Sequence, residues 1–321
     1  MTNSAPLIRT EHLRKYYPIR KGFLKNKVVG TIKAVDDVSF YIGEEEVLGL
    51  VGESGCGKST LSRVLLHLTD LTSGDIWYRG EKATKDNIQT LRQKMQMIFQ
   101  DPYSSLDPRM TIEKIVAEPL RVHTEYDKNQ RRQAVAEVLE KVGLPEDAMQ
   151  KYPHEFSGGQ RQRIGIARAL ILQPDFIVCD EPVSALDVSI QATILNLFTE
   201  MRESFRLSYL FISHDMSVVK HISDRIAVMY MGKIVELAQK DELFSNTLHP
   251  YSIALISAIP IPDPKAKRNR IILTGDIPNP VNPPSGCPFR TRCGKASPLC
   301  EAEPPVLREK TPGHFVACHL C

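Results

Sequence analysis

Residues 52–59 read Gly-Glu-Ser-Gly-Cys-Gly-Lys-Ser, a match without a mismatch to G-x-x-x-x-G-K-[ST]. The chemistry of that pattern is phosphate binding. Gly52, Gly55 and Gly57 let backbone N–H groups turn inward and approach an anion closely, and Lys58 reaches the outer phosphates. The Ser59 hydroxyl is placed to ligate magnesium. Such a loop needs a strand before it and a helix after it. Val47–Val51 is an apolar run of strand length, and Leu61, Val64, Leu65 and Leu68 fall at i, i+3, i+4 and i+7, one face of a helix. The helix N-terminus adds its partial positive charge to the site.

Three more polar groups stand at the ends of apolar runs. Phe176–Cys179 closes on Asp180 and Glu181, Met95–Phe99 on Gln100, and Tyr209–Ser213 on His214. At the carboxyl end of a strand an aspartate can hold magnesium, directly or through water, and a neighbouring glutamate can orient a water for attack on phosphorus. Ser157-Gly158-Gly159-Gln160 opens a helical pattern whose N–H groups and dipole form a second anion site. Taken alone, Ser157 is equally an ordinary helix N-cap. Two phosphate-binding helix ends far apart in one chain suit a head-to-tail dimer with nucleotide between the subunits.

The elements that must carry these residues alternate between strands and helices, which implies an α/β sheet with covered faces. Residues 34–51 read as two strands joined by a turn at Gly43-Glu44, and Ile226–Tyr230 with Ile234–Glu236 as a hairpin about Gly232. Residues 111–150 have helical spacing and form an inserted helical segment. The chain has 321 residues, 42% hydrophobic and 25% charged, enough for two domains or one with an appendage. A net charge of +3 points to no particular partner. Residues 1–33 hold eight Lys or Arg against Glu11 alone, a solvated basic edge or a contact for anionic headgroups or an acidic partner. No apolar run approaches the roughly 20 residues that span a bilayer, and the N-terminus lacks a signal-peptide pattern, so a cytosolic location is expected.

Taken together and in this order, residues 52–59, Gln100, Ser157–Gln160, Asp180-Glu181, Ser184-Ala185-Leu186-Asp187 and His214 resemble the ATP-binding subunits of ABC transporters over about residues 7–245. The resemblance implies a P-loop (RecA-like) nucleotide-binding domain with an antiparallel β subdomain over residues 1–255, and a helical subdomain over about 101–165. It implies ATP and Mg²⁺ as cofactors. Tyr17, in preference to Tyr16, would stack on adenine. Gly52, Ser54, Gly55, Cys56, Gly57, Lys58, Ser59 and Thr60 would wrap the phosphates. Ser59, Gln100 and Asp180 would form the magnesium shell, Glu181 would be the general base, and His214 would contact the γ-phosphate. Ser157, Gly158, Gly159 and Gln160 would bind ATP held by the opposite subunit, and Asp187 would communicate across that interface. Phe156 stands where the family commonly has Leu.

In residues 256–321 the composition shifts: twelve of the 22 prolines lie in residues 260–321, so long regular elements are excluded. Residues Asn279 to Cys293 resemble the C-terminal region of oligopeptide and dipeptide importer ATPases, and His249-Pro250-Tyr251 and Asp180 to Ser189 look like the same group, within which the chain is most similar to the F-type partner of a D/F pair. Five of seven cysteines crowd the last 35 residues, which in a reducing compartment argues for metal ligation. Cys287, Cys293, Cys300 and Cys318 could hold a [4Fe–4S] cluster, which the resemblance favours, or Zn²⁺, with Cys321 as an alternative to Cys318. The segment looks too small to order itself without such a staple. The expected function is ATP hydrolysis coupled to import of dipeptides or oligopeptides. A paralogous or identical ATPase subunit, two membrane permeases and an extracytoplasmic solute-binding protein would be its partners, with no nucleic acid. The chain would sit at the cytoplasmic face of the membrane. The alternatives are an importer ATPase for nickel or another solute, or a soluble ABC ATPase outside transport.

Overall fold

The structure, a computed structural model, describes residues 5–21, 27–101, 105–260 and 270–321. The chain forms two units, one of residues 8–41, 47–82 and 213–321, the other of residues 1–7, 42–46 and 83–212.

In the first unit, β1 (Ile8–Lys21) and β2 (Lys27–Ile42) join β4 (Ser73–Tyr78) and β5 (Glu81–Lys82) in a sheet of order β2-β1-β4-β5. β3 (Val47–Val51) lies in a different sheet, so the two strands flanking the Gly43-Glu44 turn are not paired as a hairpin. β3 is buried along its whole length, which is why its five residues alternate nothing and read as one apolar run. It pairs in parallel with β9 (Arg225–Tyr230), Val51 opposite Val228. β9 turns through Gly232 (φ 80°) into antiparallel β10 (Lys233–Gln239), the expected hairpin.

The helix after the phosphate loop, α1 (Lys58–Leu65), buries Leu61, Val64 and Leu65. It is shorter than its apolar spacing suggests. The chain leaves it at Leu66 and takes a positive φ of 49° at His67, which throws Leu68 outward, 47% exposed.

The second unit holds three parallel strands, β6 (Met95–Ile98), β7 (Phe176–Asp180) and β8 (Ser208–Ser213), in the order β6-β7-β8. β6 ends two residues before Gln100. Between β6 and β7 come α3 (Ile112–His123), α4 (Lys128–Lys141) and α5 (Gly158–Leu170), with α2 (Ile88–Lys94) ahead of β6. α4 starts on a capping box of Asp127 and Gln130 and buries Val135, Val138 and Leu139, the residues its spacing marked. α3 packs on both α4 and α5. α6 (Val188–Phe205) buries Ile194, Leu197, Phe198 and Met201.

The C-terminal segment corrects the expectation that it is too small to bury much of a core. β12 (His314–Val316) adds to β10 with Glu236 opposite Val316, and β11 (Arg308–Thr311) pairs with β12. Phe289, Cys287 and Cys300 enter the same buried cluster as Val51, Tyr230 and Tyr251. The segment therefore borrows a core from the first unit, and burial of an aromatic such as Phe289 contributes about 2–3 kcal/mol. Beyond Ser257 only α10 (Pro298–Ala302) is an α-helix among its described residues, in keeping with its proline content. Three other short helices, α7 (Met216–Ile222), α8 (Lys240–Ser245) and α9 (Pro250–Ser257), connect the strands of this unit.

His249 caps α9. Its Nδ1 accepts the Tyr251 N–H at 3.1 Å, and its backbone N–H donates to buried Glu236 at 3.1 Å. Burial pushes its pKa down to about 4. The neutral ring is thus the folded form, while the unfolded chain takes a proton near pH 6.5. Stability is complete above pH 6.5 and falls between pH 6.5 and 4, by about 1.4 kcal/mol per unit. Thermal melts of wild type and His249→Asn, which keeps a capping side chain, should diverge in slope over that window. Parallel pH profiles would disprove the effect.

Candidate nucleotide-binding site

The phosphate loop belongs to the first unit. β3 delivers the chain at Val51, and α1 begins at Lys58 with Gly57 as its N-cap, in a left-handed conformation (φ 112°, ψ 0°). No side chain caps this helix, whose N-terminus carries the partial positive charge of its dipole. A Cβ at Gly57 would sit 2.0 Å from the Ala34 carbonyl oxygen, so both the backbone angle and the space demand glycine. Lys58 is 4% exposed, and its Nζ donates to the carbonyls of Gly52 (2.8 Å) and Glu53 (3.1 Å). The lysine head is therefore folded back over the loop it would share with phosphate oxygens. Cys56 is buried beneath the loop, and burial raises its thiol pKa.

In the same unit, Tyr16 and Tyr17 are told apart by their surroundings. The Tyr16 hydroxyl donates to Asp36, and burial with that carboxylate pushes its pKa up to about 12. Tyr17 is 38% exposed, with the Lys15 ammonium 4.8 Å from its ring centroid. His214 follows β8 and is exposed; Asp215 behind it caps α7 by accepting the Ser217 N–H at 2.7 Å.

The second unit gathers the acidic residues. β6 and β7 run parallel with Ile98 opposite Cys179, so their carboxyl ends bring Gln100 beside Asp180 and Glu181. Gln100 Nε2 donates to Glu181 Oε2 at 3.1 Å. Asp180 is 4% exposed. Glu181 adopts a left-handed backbone (φ 47°), costly for a residue with a Cβ, and is held there by its N–H on the Ile212 carbonyl at 3.0 Å. Ser184 Oγ in turn donates to the Glu181 carbonyl at 3.0 Å. These bonds turn the carboxylate off the end of β7 instead of letting it continue along the strand.

Ser157 is the N-cap of α5, in a capping box with Gln160: the Gln160 N–H donates to Ser157 Oγ at 3.4 Å and Gln160 Oε1 accepts the Ser157 N–H at 3.0 Å. Gly158 and Gly159 begin the helix. A Cβ on Gly159 would lie 2.6 Å from Ile190 Cγ2, so the start of α5 is pressed on the start of α6. Asp187, exposed, is the N-cap of α6. Phe156 is buried, 8% exposed, where the commoner leucine would also be apolar.

In the C-terminal segment Cys287 and Cys300 are buried, Cys293 and Cys318 less so. Burial pushes the Cys287 thiol up to about 11, with Cys300, Cys318 and Cys293 raising it further through their charges. The four sulfurs thus share one neighbourhood. Among the described residues, however, no three or more His, Cys, Asp or Glu side chains are arranged to hold a metal ion. The tetrathiolate site implied by the resemblance gains no support from this arrangement. Cys321, the alternative ligand, donates its Sγ–H to the Leu248 carbonyl at 3.2 Å.

The spacing also passed over Glu53, one of the four unspecified positions of the phosphate-loop pattern. Its carboxylate is held by Arg292, 239 residues away, and nothing local in the sequence signals the pairing.

Residues 35–184 match the ABC transporter family, and residues 235–300 the oligopeptide/dipeptide transporter C-terminal region. The chain is 51% identical to the oligopeptide transport ATP-binding protein AppF of Bacillus subtilis, over 99% of this chain and 98% of that one. It belongs to the ABC transporter ATP-binding subunits. It is accordingly an ATPase of the P-loop α/β class. The dipeptide transport ATP-binding protein DppF of Haemophilus influenzae is 48% identical over 99% of each chain. Among solved structures, the dimeric ATP-binding cassette MJ0796 in a post-hydrolysis state bound to ADP and Pi superposes with a TM-score of 0.64. It is 27% identical and covers 73% of this chain and 98% of its own. No helix among the described residues of this ABC ATPase is long and apolar enough to cross a membrane.

Proposed function

We propose that this ATPase drives import of dipeptides or oligopeptides through separate permease subunits, docked at the cytoplasmic face of the membrane. The observation that carries the substrate class is the oligopeptide/dipeptide transporter C-terminal region at residues 235–300, joined to an ABC cassette in one chain. Relatives named for oligopeptide and dipeptide transport match along essentially the whole chain, which supports the same reading.

Within the ATPase, the phosphate loop from Gly52 to Thr60 holds the phosphates, and Tyr17 stacks on the base. The donor set of Ser59, Gln100 and Asp180 is all oxygen, the chemistry magnesium prefers. With Gln100 Nε2 on Glu181, the amide oxygen is left for the cation. Magnesium, when bound, neutralises charge that develops on the phosphate oxygens. Glu181 orients the attacking water and accepts its proton, and His214 holds the γ-phosphate end of the site. Ser157, Gly158, Gly159 and Gln160 serve ATP on a second ATPase subunit, and Asp187 lies at that dimer face. The catalytic cassette spans residues 1–255, with its helical part over about 101–165, and residues 256–321 form the appended region.

A partner ATPase subunit, two permeases and an extracytoplasmic binding protein complete the transporter. Reconstituted together in vesicles, they should accumulate a labelled dipeptide or oligopeptide only when ATP is inside with this chain. Nickel uptake without peptide uptake would overturn the substrate class. The same purified complex tests the finer reading of the tail, an iron–sulfur cluster on Cys287, Cys293, Cys300 and Cys318. That reading rests on the crowding of five cysteines into the last 35 residues and on family resemblance, and it requires brown protein with the absorbance of an iron–sulfur chromophore at about 400 nm; zinc or no metal refutes it.

A further inference from the structure

Glu53 is the second residue of the phosphate loop, and three of its groups are fixed. Its carboxylate receives both terminal nitrogens of Arg292, Nη1 on Oε2 at 2.6 Å and Nη2 on Oε1 at 3.0 Å. Its N–H donates to the Tyr251 hydroxyl at 2.8 Å. Its carbonyl accepts Lys58 Nζ at 3.1 Å. The Arg292 side chain is only 6% exposed and that of Glu53 27%, so this fork-to-fork pair is shielded from water on the arginine side.

Of these partners Arg292 and Tyr251 come from outside the catalytic motifs, and one aromatic wedge carries them. The Phe289 ring lies 5.2 Å from Tyr230 and 5.4 Å from Tyr251, and Tyr230 lies 4.7 Å from Tyr251, centroid to centroid. The Arg292 N–H donates to the Phe289 carbonyl at 3.0 Å, so the arginine leaves the chain from the wedge itself. The guanidinium stands 6.0 Å from the Tyr230 ring centroid. Tyr230 ends β9, the strand paired with β3, and β3 launches the phosphate loop. The C-terminal segment is thus seated on the strand pair behind the loop and holds the loop from its side.

We infer that Arg292 and Tyr251 position the phosphate loop through Glu53, which makes the C-terminal segment a working part of the ATP site. Lys58 takes its resting place from the Gly52 and Glu53 carbonyls, so fixing Glu53 fixes the lysine head. The arginine also neutralises a carboxylate that would otherwise stand unpaired within a loop built to hold phosphates, where its repulsion would weaken ATP binding. Arg292 is a positioning residue: it acts on the nucleotide through Glu53 and Lys58. The inference needs the ATPase but not the peptide reading, and the measurement below uses the isolated full chain without permeases. A failure of peptide transport therefore leaves it unaffected.

The test is ATP affinity of the full-length chain, by fluorescence titration with ATP at a temperature where every variant is folded. Arg292→Met should raise the Kd for ATP by about tenfold or more, within the range of ordinary coupling between sites. Arg292→Lys, which keeps the charge and loses the fork, should fall between Arg292→Met and wild type. Glu53→Gln with Arg292→Met leaves no buried charge unpaired, so it tests the clamp even if the single variant fails to fold. This double variant should still bind ATP several-fold more weakly than wild type, yet better than Arg292→Met. If the folded double variant, or folded Arg292→Met, binds ATP within twofold of wild type, Arg292 only stabilises the fold and the inference is overturned.

Discussion

Glu181→Gln removes ATP turnover and leaves ATP binding intact. The substitution keeps the shape of the side chain and an oxygen to accept the Gln100 amide, now 3.1 Å from Glu181 Oε2. It keeps a Cβ at the left-handed backbone position (φ 47°), so the strain there is unchanged. What it removes is the negative charge and the ability to accept a proton from water. General-base loss costs about 10²–10⁴ in rate. Loss of a carboxylate near the nucleotide phosphates also lowers repulsion in the ATP-bound state. The variant should therefore accumulate as an ATP-bound dimer, seen as a shift to earlier elution in size-exclusion chromatography when ATP and magnesium are present. Phosphate release at a near-normal rate would end the assignment of Glu181 as the water-orienting group.

Gly57→Ala should be as damaging to binding as Glu181→Gln is to turnover. The new methyl would meet the Ala34 carbonyl oxygen at 2.0 Å, a backbone atom of β2 that cannot swing aside. The φ of 112° adds strain that glycine does not feel. Overpacking and left-handed strain each cost about 1–3 kcal/mol, so the loop relieves them by moving. The expected result is an ATP Kd raised by well over tenfold with a chain that still folds, because β3 and α1 keep their buried faces. Wild-type affinity would mean that the loop adopts another path when nucleotide binds. Gly55→Ala makes the natural comparison: a Cβ there meets nothing within 4 Å, leaving only the strain of its φ of 78°.

The contrast between these glycines shows where sequence reading runs out. A pattern of glycines announces a phosphate loop, but which of them is packed against β2 depends on a strand 23 residues upstream. The same holds for helix ends. Leu68 has the right spacing to follow Leu61, Val64 and Leu65, yet a positive φ at His67 takes it off the helix and into solvent. Periodicity records which residues a straight helix would bury and carries no information about where the backbone turns. For β3 and β7, by contrast, the apolar runs and the observed strands agree closely, since a strand covered on both faces leaves little room for polar residues.

The cysteine-rich tail is the instructive departure. Proline content and five clustered thiols pointed to a segment ordered by metal. The structure adds a second source of order: Phe289 and two of the cysteines share the core of Tyr230 and Tyr251, and β12 extends β10 by hydrogen bonds. Three short residues of strand and one aromatic leave little signal in a sequence, because the surface that completes them is supplied by residues far away.

The sequence by itself determined the chemistry: the phosphate loop, Gln100, Ser157–Gln160, Asp180-Glu181 and His214 are local patterns whose residue types and order suffice to name an ABC ATPase. Placement at strand ends follows as well, because each polar residue closes an apolar run. Only the tertiary structure decided that Gln100 bonds Glu181, that Glu181 leaves β7 through a left-handed turn, and that Glu53 is clamped by Arg292 and Tyr251. Those contacts join residues between 81 and 239 positions apart, as in Gln100 to Glu181 and Glu53 to Arg292. Short-range spacing reports what one element can bury or display, and pairing across such distances is set by the packing of elements on one another.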